Sequence, residues 1–153
     1  RLGDHLDRLY RAAWGLCGSR EDAEDLVQET YARVLGRPRL LRRDDDLGYL
    51  LRTLRNVFID TRRAGARRPA TVPLPGDQVL GDARGGRTAE LVLEATAVFD
   101  AIAALPDPFR EVIVAVDLVG LSYREAAALL GVREGTIMSR LHRARERVVA
   151  AVG

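Results

Sequence analysis

Apolar residues return at intervals of three and four along almost the whole chain, and no segment shows the sustained apolar–polar alternation of a half-buried strand. This pattern predicts an all-α fold. The first helix is predicted from about Asp4 to Cys17, and the second follows Ser19, whose side chain suits a helix N-cap. A third helix is predicted after three consecutive aspartates, residues 44–46. Its apolar stripe comprises Leu47, Leu50, Leu51, Leu54, Val57 and Phe58.

The periodicity stops between Ala64 and Arg87, where prolines and glycines accumulate. We therefore expect a linker at residues 67–87 that joins two small helical domains, residues 1–66 and 88–153. A fourth helix is predicted after Thr88, and a fifth is predicted to continue from Pro106 to Gly120. The inward-facing residues of the fourth helix are predicted to be Leu91, Ala95, Val98, Phe99 and Ile102.

Composition narrows the class of protein. Hydrophobic residues make up 47% and charged residues 30% of the 153 positions, which is typical of a globular protein. No apolar stretch approaches the roughly 20 residues of a membrane span, and the single cysteine, Cys17, can form neither an intrachain disulfide nor a zinc site. We expect a cytoplasmic protein with no metal, no cofactor and no small-molecule substrate. No nucleophile, phosphate-loop or metal-ligand motif is present in the sequence, so we do not expect an enzyme.

Basic residues are concentrated in two separate segments of the chain. All 24 basic residues are arginine, and the formal net charge is only +2. Residues 37–68 nevertheless hold ten arginines against four aspartates, and residues 133–153 hold five arginines against two glutamates. Each of these basic blocks is a candidate phosphate-binding surface.

The last two predicted helices are separated by a turn of three residues, Gly131 to Arg133, which is typical of a helix-turn-helix. In the second of them, Ile137, Leu141, Ala144 and Val148 share one face, which predicts that this face packs inward. The opposite face is polar and rich in arginine. Because the second helix of such a motif enters the major groove, we interpret this helix as a reader of duplex DNA.

Acidic residues lie together on the second helix. Asp22, Asp25 and Glu29 share a face opposite the apolar Leu26 and Val27. This arrangement leaves carboxylates available to a basic partner, although a merely solvated acidic face has the same pattern.

Longer motifs resemble a known family. Residues 105–110, 120–127 and 135–145 resemble region 4 of extracytoplasmic-function sigma factors of bacterial RNA polymerase. Residues 25–31 resemble region 2.2 of the same family, and residues 49–63 resemble the segment that follows it. The resemblance implies a region 2 three-helix bundle, a region 4 helix-turn-helix and a role in promoter-directed initiation of transcription.

The resemblance also implies three sets of binding residues. Core polymerase, through the clamp of its largest subunit, is expected to contact Asp22, Asp25, Gln28 and Glu29. The minus-ten element is expected to contact Arg37, Arg39, Arg42, Arg43, Tyr49, Arg52, Arg55, Asn56, Arg62 and Arg63. The minus-thirty-five element is expected to contact Gly135, Thr136, Met138, Ser139, Arg140, His142, Arg143 and Arg145. The flap of the second large polymerase subunit and an anti-sigma factor are further expected partners.

Two positions depart from the family pattern. Tyr49 stands where relatives usually have tryptophan, and Met138 stands where many have arginine or lysine, so promoter preference does not follow from the resemblance. Two other interpretations fit the helix-turn-helix: a conventional operator-binding regulator, which needs no polymerase, and an interaction protein whose domains sequester a partner.

Overall fold

The computed structural model describes residues 5–36, 46–66 and 95–153, and every regular element in these ranges is helical. The N-terminal half contains α1 (Leu6–Cys17), α2 (Arg20–Leu35) and α3 (Asp46–Ala66). The C-terminal half contains α4, described over residues 95–103, then α5 (Asp107–Ile113), a π-helical segment (Val114–Leu118), α6 (Tyr123–Leu130) and α7 (Glu134–Val152). The predicted all-α fold is confirmed.

The first two helices form a tight hairpin. Gly18 ends α1 in the left-handed conformation, with φ of 74°, and its N–H donates to the Trp14 carbonyl at 2.8 Å. Ser19 then caps α2, because its Oγ accepts a hydrogen bond from the Asp22 N–H at 3.3 Å. The N-cap predicted from the sequence is therefore present.

The third helix completes a bundle with α1 and α2. Leu50, Leu51, Leu54 and Val57 are buried, as their spacing predicts, and they meet Leu9 of α1 among the core residues. The arginine-bearing side of α3 stays at the surface. The predicted linker, residues 67–87, lies outside the described residues, as does the predicted start of the fourth helix at Thr88.

The C-terminal half differs from the sequence-based expectation in two places. The predicted continuous fifth helix changes to π-helical geometry at Val114, and the N–H of Val119 donates to the Val114 carbonyl at 3.0 Å. In α4, Val98 is 36% exposed rather than buried, because the face that packs against α1 carries Phe99 and Ile102. The spacing of apolar residues predicts that a helix has a buried face, but it does not show which neighbouring helix packs against that face.

The two halves pack on each other through α1. The rings of Trp14 and Phe99 stack with centroids 4.2 Å apart and planes 1° from parallel. Gly15 lies against Val114 and Leu118 of the π-helical segment. Among the described residues, no helix is both long and apolar enough to span a bilayer.

Candidate functional site

The acidic face of α2 is exposed, as expected. Asp22, Asp25, Gln28 and Glu29 all reach solvent, while Ala23, Leu26 and Val27 on the other side of the helix are buried. Glu29 also faces Arg33 one turn later, with 3.5 Å between its Oε1 and the arginine Nε. We call Asp22, Asp25, Gln28 and Glu29 the acidic face, a surface suited to a basic protein partner.

A hollow lies between the end of α2 and the start of α3. Tyr49 and Asn56, both expected to contact the minus-ten element, line it together. Ala32, Arg33, Gly36 and Thr53 complete the lining, and the cavity volume is about 450 Å³, which lies within the roughly 300–1,000 Å³ of ordinary ligand pockets. An aromatic ring and an amide beside one hollow can supply the stacking and edge hydrogen bonds that an unstacked base requires. The Arg33 guanidinium is paired with the carboxylates of Glu29 and Asp60, each at 3.5 Å.

Sequence reasoning missed Arg33 and Thr53. Arg33 is the only basic residue within the acidic stretch 21–36, and that isolation was the available signal. The Thr53 hydroxyl donates to the Tyr49 carbonyl at 2.9 Å, which fixes it one helical turn from the tyrosine.

The arginines of α3 divide into two groups. Arg52, Arg62 and Arg63 are exposed and Arg55 is partly buried. Arg55 and Arg62 reach across to the C-terminal half. Arg55 Nε donates to Glu111 Oε1 at 2.9 Å, and Arg62 Nη1 donates to Asp107 Oδ1 at 2.7 Å. The hydrogen bond from Arg62 holds the pKa of the Asp107 carboxyl below its usual range, so this carboxylate stays ionised until unusually low pH. The remaining expected contacts, Arg37, Arg39, Arg42 and Arg43, lie outside the described residues.

The helix-turn-helix is formed by α6 and α7. Ser122 and Glu125 build a reciprocal capping box at the start of α6, and Gly131 ends that helix with φ of 68°. On α7 the predicted inward stripe of Ile137, Leu141, Ala144 and Val148 is buried. The spacing of apolar residues in α7 therefore predicted correctly which face of this helix is buried.

The outer face and the N-terminus of α7 carry most of the residues expected to contact the minus-thirty-five element. Met138 is 55% exposed, and Ser139, His142 and Arg143 are exposed beside it. Gly135 and Thr136 lie at the helix N-terminus, and Arg140 is half-buried. Met138, Ser139, His142 and Arg143 therefore lie on the side of α7 away from its buried stripe, as a helix that enters the major groove requires.

Arg145 and Arg147 bind other parts of the same chain. Arg145 donates two hydrogen bonds to the Asp117 carboxylate, from Nε at 2.9 Å and from Nη2 at 2.6 Å. Arg147 lies over the Phe109 ring, 4.6 Å from its centroid. Arg145 was expected to contact the minus-thirty-five element; in the structure it anchors α7 to the π-helical segment.

Arg143 is exposed whereas Arg147 lies over the Phe109 ring, and this difference gives a testable prediction for α7. Arg143→Ala is expected to weaken binding to a minus-thirty-five duplex by about 1–3 kcal/mol without changing the thermal midpoint, because it removes an exposed guanidinium that we expect to contact a base or a phosphate. Arg147→Ala removes the same charge from the same helix and is the matched control. Affinity is measured by fluorescence anisotropy at fixed salt. An equal loss of affinity in both variants would contradict the assignment of Arg143.

Two family models match the chain. Sigma-70 region 2 matches residues 2–68, and sigma-70 region 4 matches residues 96–148. The acidic face, the hollow and α3 lie in the first match, and α5, α6 and most of α7 lie in the second.

Individual proteins are similar over most of the chain. The ECF RNA polymerase sigma factor SigE of Mycolicibacterium smegmatis is 38% identical over 94% of this chain and 57% of its own length. SigC of Mycobacterium tuberculosis is 39% identical over 84% of this chain and 69% of its own length. A solved structure of the sigma factor RpoE from Bartonella quintana, bound to the anti-sigma factor NepR, is 27% identical with a TM-score of 0.72. That similarity covers 98% of this chain and 92% of the RpoE chain.

Proposed function

Since the chain belongs to the extracytoplasmic-function (ECF) group of the sigma-70 family, we propose that it binds core RNA polymerase and directs promoter-specific initiation of transcription. The chain spans just over half the length of SigE, so this role is inferred from the two regions that it contains. The observation that carries the proposal is the presence of both regions on one chain, each with an exposed surface suited to its ligand.

Each surface has a separate task in this proposal. The acidic face binds the clamp of the largest polymerase subunit, where exposed carboxylates meet a basic partner. The hollow of Tyr49 and Asn56 holds a base extruded from the melted minus-ten strand, and unstacking that base costs a few kcal/mol. The arginines at positions 37, 39, 42 and 43 remain predicted contacts of the same strand.

The C-terminal half reads the minus-thirty-five duplex with α7. Met138, Ser139, His142 and Arg143 face the groove, and the N-terminus of α7 at Gly135 directs backbone N–H groups toward a phosphate. The same half contacts the flap of the second large subunit. The chain supplies no catalytic group, because polymerase performs the chemistry, and it acts in the cytoplasm where that polymerase is found.

Control by an anti-sigma factor is part of the proposal. The RpoE chain that is similar to this one over almost its full length was solved with such a partner. A partner that occupies the acidic face or the hollow would compete directly with polymerase or promoter.

The alternative is a conventional operator-binding regulator, which shares the helix-turn-helix. Run-off transcription with purified core polymerase on a promoter library distinguishes the two. We expect promoter-dependent transcripts only when the chain is added. Tight binding of duplex DNA by the chain alone, without any transcript, would show that the operator-binding alternative is correct.

A further inference from the structure

An acidic side chain lies in the middle of the outer face of α7. Glu146 follows the buried Ala144 by two positions and precedes the buried Val148 by two, so at 3.6 residues per turn it points about 160° away from both. Its side chain is 66% exposed. The carboxylate therefore occupies the surface proposed to face the major groove, although Glu146 was not among the residues expected to contact the minus-thirty-five element.

A carboxylate at this position weakens the attraction between α7 and DNA phosphates. Residues 133–153 hold five arginines and only two acids, Glu134 and Glu146. Glu134 lies in the first turn of α7, where the helix dipole favours a negative charge. Glu146 lies about three turns further along, beyond the reach of that effect. Because its charge lowers the affinity for every duplex alike, Glu146 can favour binding only through a contact to particular bases.

Glu146 also determines which ring nitrogen of His142 carries the proton. The Nε2 atom of His142 lies 3.1 Å from Glu146 Oε1, one helical turn away. A lone pair at Nε2 would face a negative oxygen, so a neutral imidazole keeps its proton on Nε2 and its lone pair on Nδ1. Within the described part of the chain, Glu146 pairs with this histidine and with no arginine. The pair therefore presents hydrogen-bond acceptors to a ligand, and its carboxylate is not neutralised by a guanidinium.

The Ser139 hydroxyl extends the same pattern. Its Oγ donates a hydrogen bond to the Thr136 carbonyl at 3.2 Å, so its proton is held by the helix and its lone pairs remain for a ligand. Ser139, His142 and Glu146 follow one another at three and four positions and form one row on the helix surface. This row accepts hydrogen bonds, whereas the exposed Arg143 beside it only donates them.

The bases differ in which of these groups they can satisfy in the major groove. Adenine N6 and cytosine N4 carry amino groups that donate, whereas guanine O6 and N7 and thymine O4 only accept. We propose that Glu146 determines base specificity, because its carboxylate accepts a hydrogen bond from the amino group of an adenine or cytosine and rejects guanine and thymine at the same place. The inference rests on the proposed function for the identity of the duplex as the minus-thirty-five element, and it narrows the class of sequence that α7 prefers.

Glu146→Gln is the test variant, because an amide of nearly the same shape donates as well as accepts. Glu134→Gln is the matched control, since it makes the same substitution in the first turn of the same helix. The preferred duplex is first selected from a randomised pool with the full wild-type chain. Each of its base pairs is then replaced in turn, and the affinity of every duplex is measured by fluorescence anisotropy at fixed salt and about pH 8, where an imidazole is neutral.

For the wild type, we expect one base pair at which adenine or cytosine on the strand facing α7 binds about tenfold more tightly than guanine or thymine. Glu146→Gln should reduce this preference to less than about threefold and leave the preferences at the other base pairs unchanged. Glu134→Gln should keep the wild-type profile, with any change in affinity equal for all duplexes. The same base-pair series, placed in a promoter and followed by run-off transcription with core polymerase, should show the same change of preference.

An unchanged base profile in Glu146→Gln would overturn the inference. So would a uniform gain across all duplexes that Glu134→Gln reproduces, since Glu146 would then act through its charge alone. Promoter-dependent transcripts with the same base preference in the wild type and Glu146→Gln would overturn the inference and leave the proposed function intact. Relaxed preference on duplexes without any promoter-dependent transcript would support the role of Glu146 and overturn the proposed function.

Discussion

Replacement of both Asp25 and Glu29 by arginine is expected to lower the affinity for core polymerase about a hundredfold, or about 3 kcal/mol. Both side chains are exposed on the acidic face, and the reversal turns attraction to a basic partner into repulsion. Run-off transcription at limiting concentration should fall in proportion. Binding of the isolated minus-thirty-five duplex should remain unchanged, because α7 lies outside the mutated helix.

The control variant makes the same change in net charge at positions outside the acidic face. Asp7→Arg combined with Asp100→Arg raises the net charge by the same four units at exposed positions of α1 and α4. Core affinity is measured by titration of labelled chain with polymerase. Equal loss of core binding and duplex binding in the Asp25 and Glu29 variant would show damage to the fold and would remove our assignment of the acidic face.

Leu141→Ala is expected to destabilise the chain by about 2–5 kcal/mol, because truncation of a fully buried leucine leaves a cavity. Leu141 is 1% exposed and lies at the centre of the inward stripe of α7. For a chain of this length, the thermal midpoint should fall by about 5–20 °C, followed by circular dichroism. Duplex binding should be lost with the fold of the C-terminal half.

Met138→Ala provides the comparison within the same helix. Met138 is 55% exposed, so its truncation should change stability by less than about 0.5 kcal/mol. A drop in the thermal midpoint after Met138→Ala as large as that after Leu141→Ala would mean that the inward and outward faces of α7 are assigned incorrectly.

Local sequence patterns predicted most of the helical architecture. The stripes of α3 and α7 were correct because a repeat of three and four residues dictates which side chains share a face. The cap at Ser19 followed from short-range hydrogen-bonding chemistry, and the turn that begins at Gly131 followed from its place between two helical stripes. Each of these features depends on residues within one or two helical turns.

The partners of charged side chains did not follow from the sequence. Arg55, Arg62 and Arg143 are equally basic in a count of charge, yet two of them pair with carboxylates that lie 56 and 45 positions away along the chain. The π-helical segment also escaped prediction, because Val114, Ala115 and Val116 have no local feature that distinguishes them from an ordinary helix. Such features depend on how the halves pack.

The ion pairs Arg55–Glu111 and Arg62–Asp107 make the packing of the two halves sensitive to dissolved salt. Both pairs are partly exposed, and at physiological ionic strength the Debye length of about 8 Å screens exposed charges substantially. Rising salt concentration should therefore weaken the packing of the two halves and, in the proposed role of the chain, the contacts between its arginines and promoter phosphates.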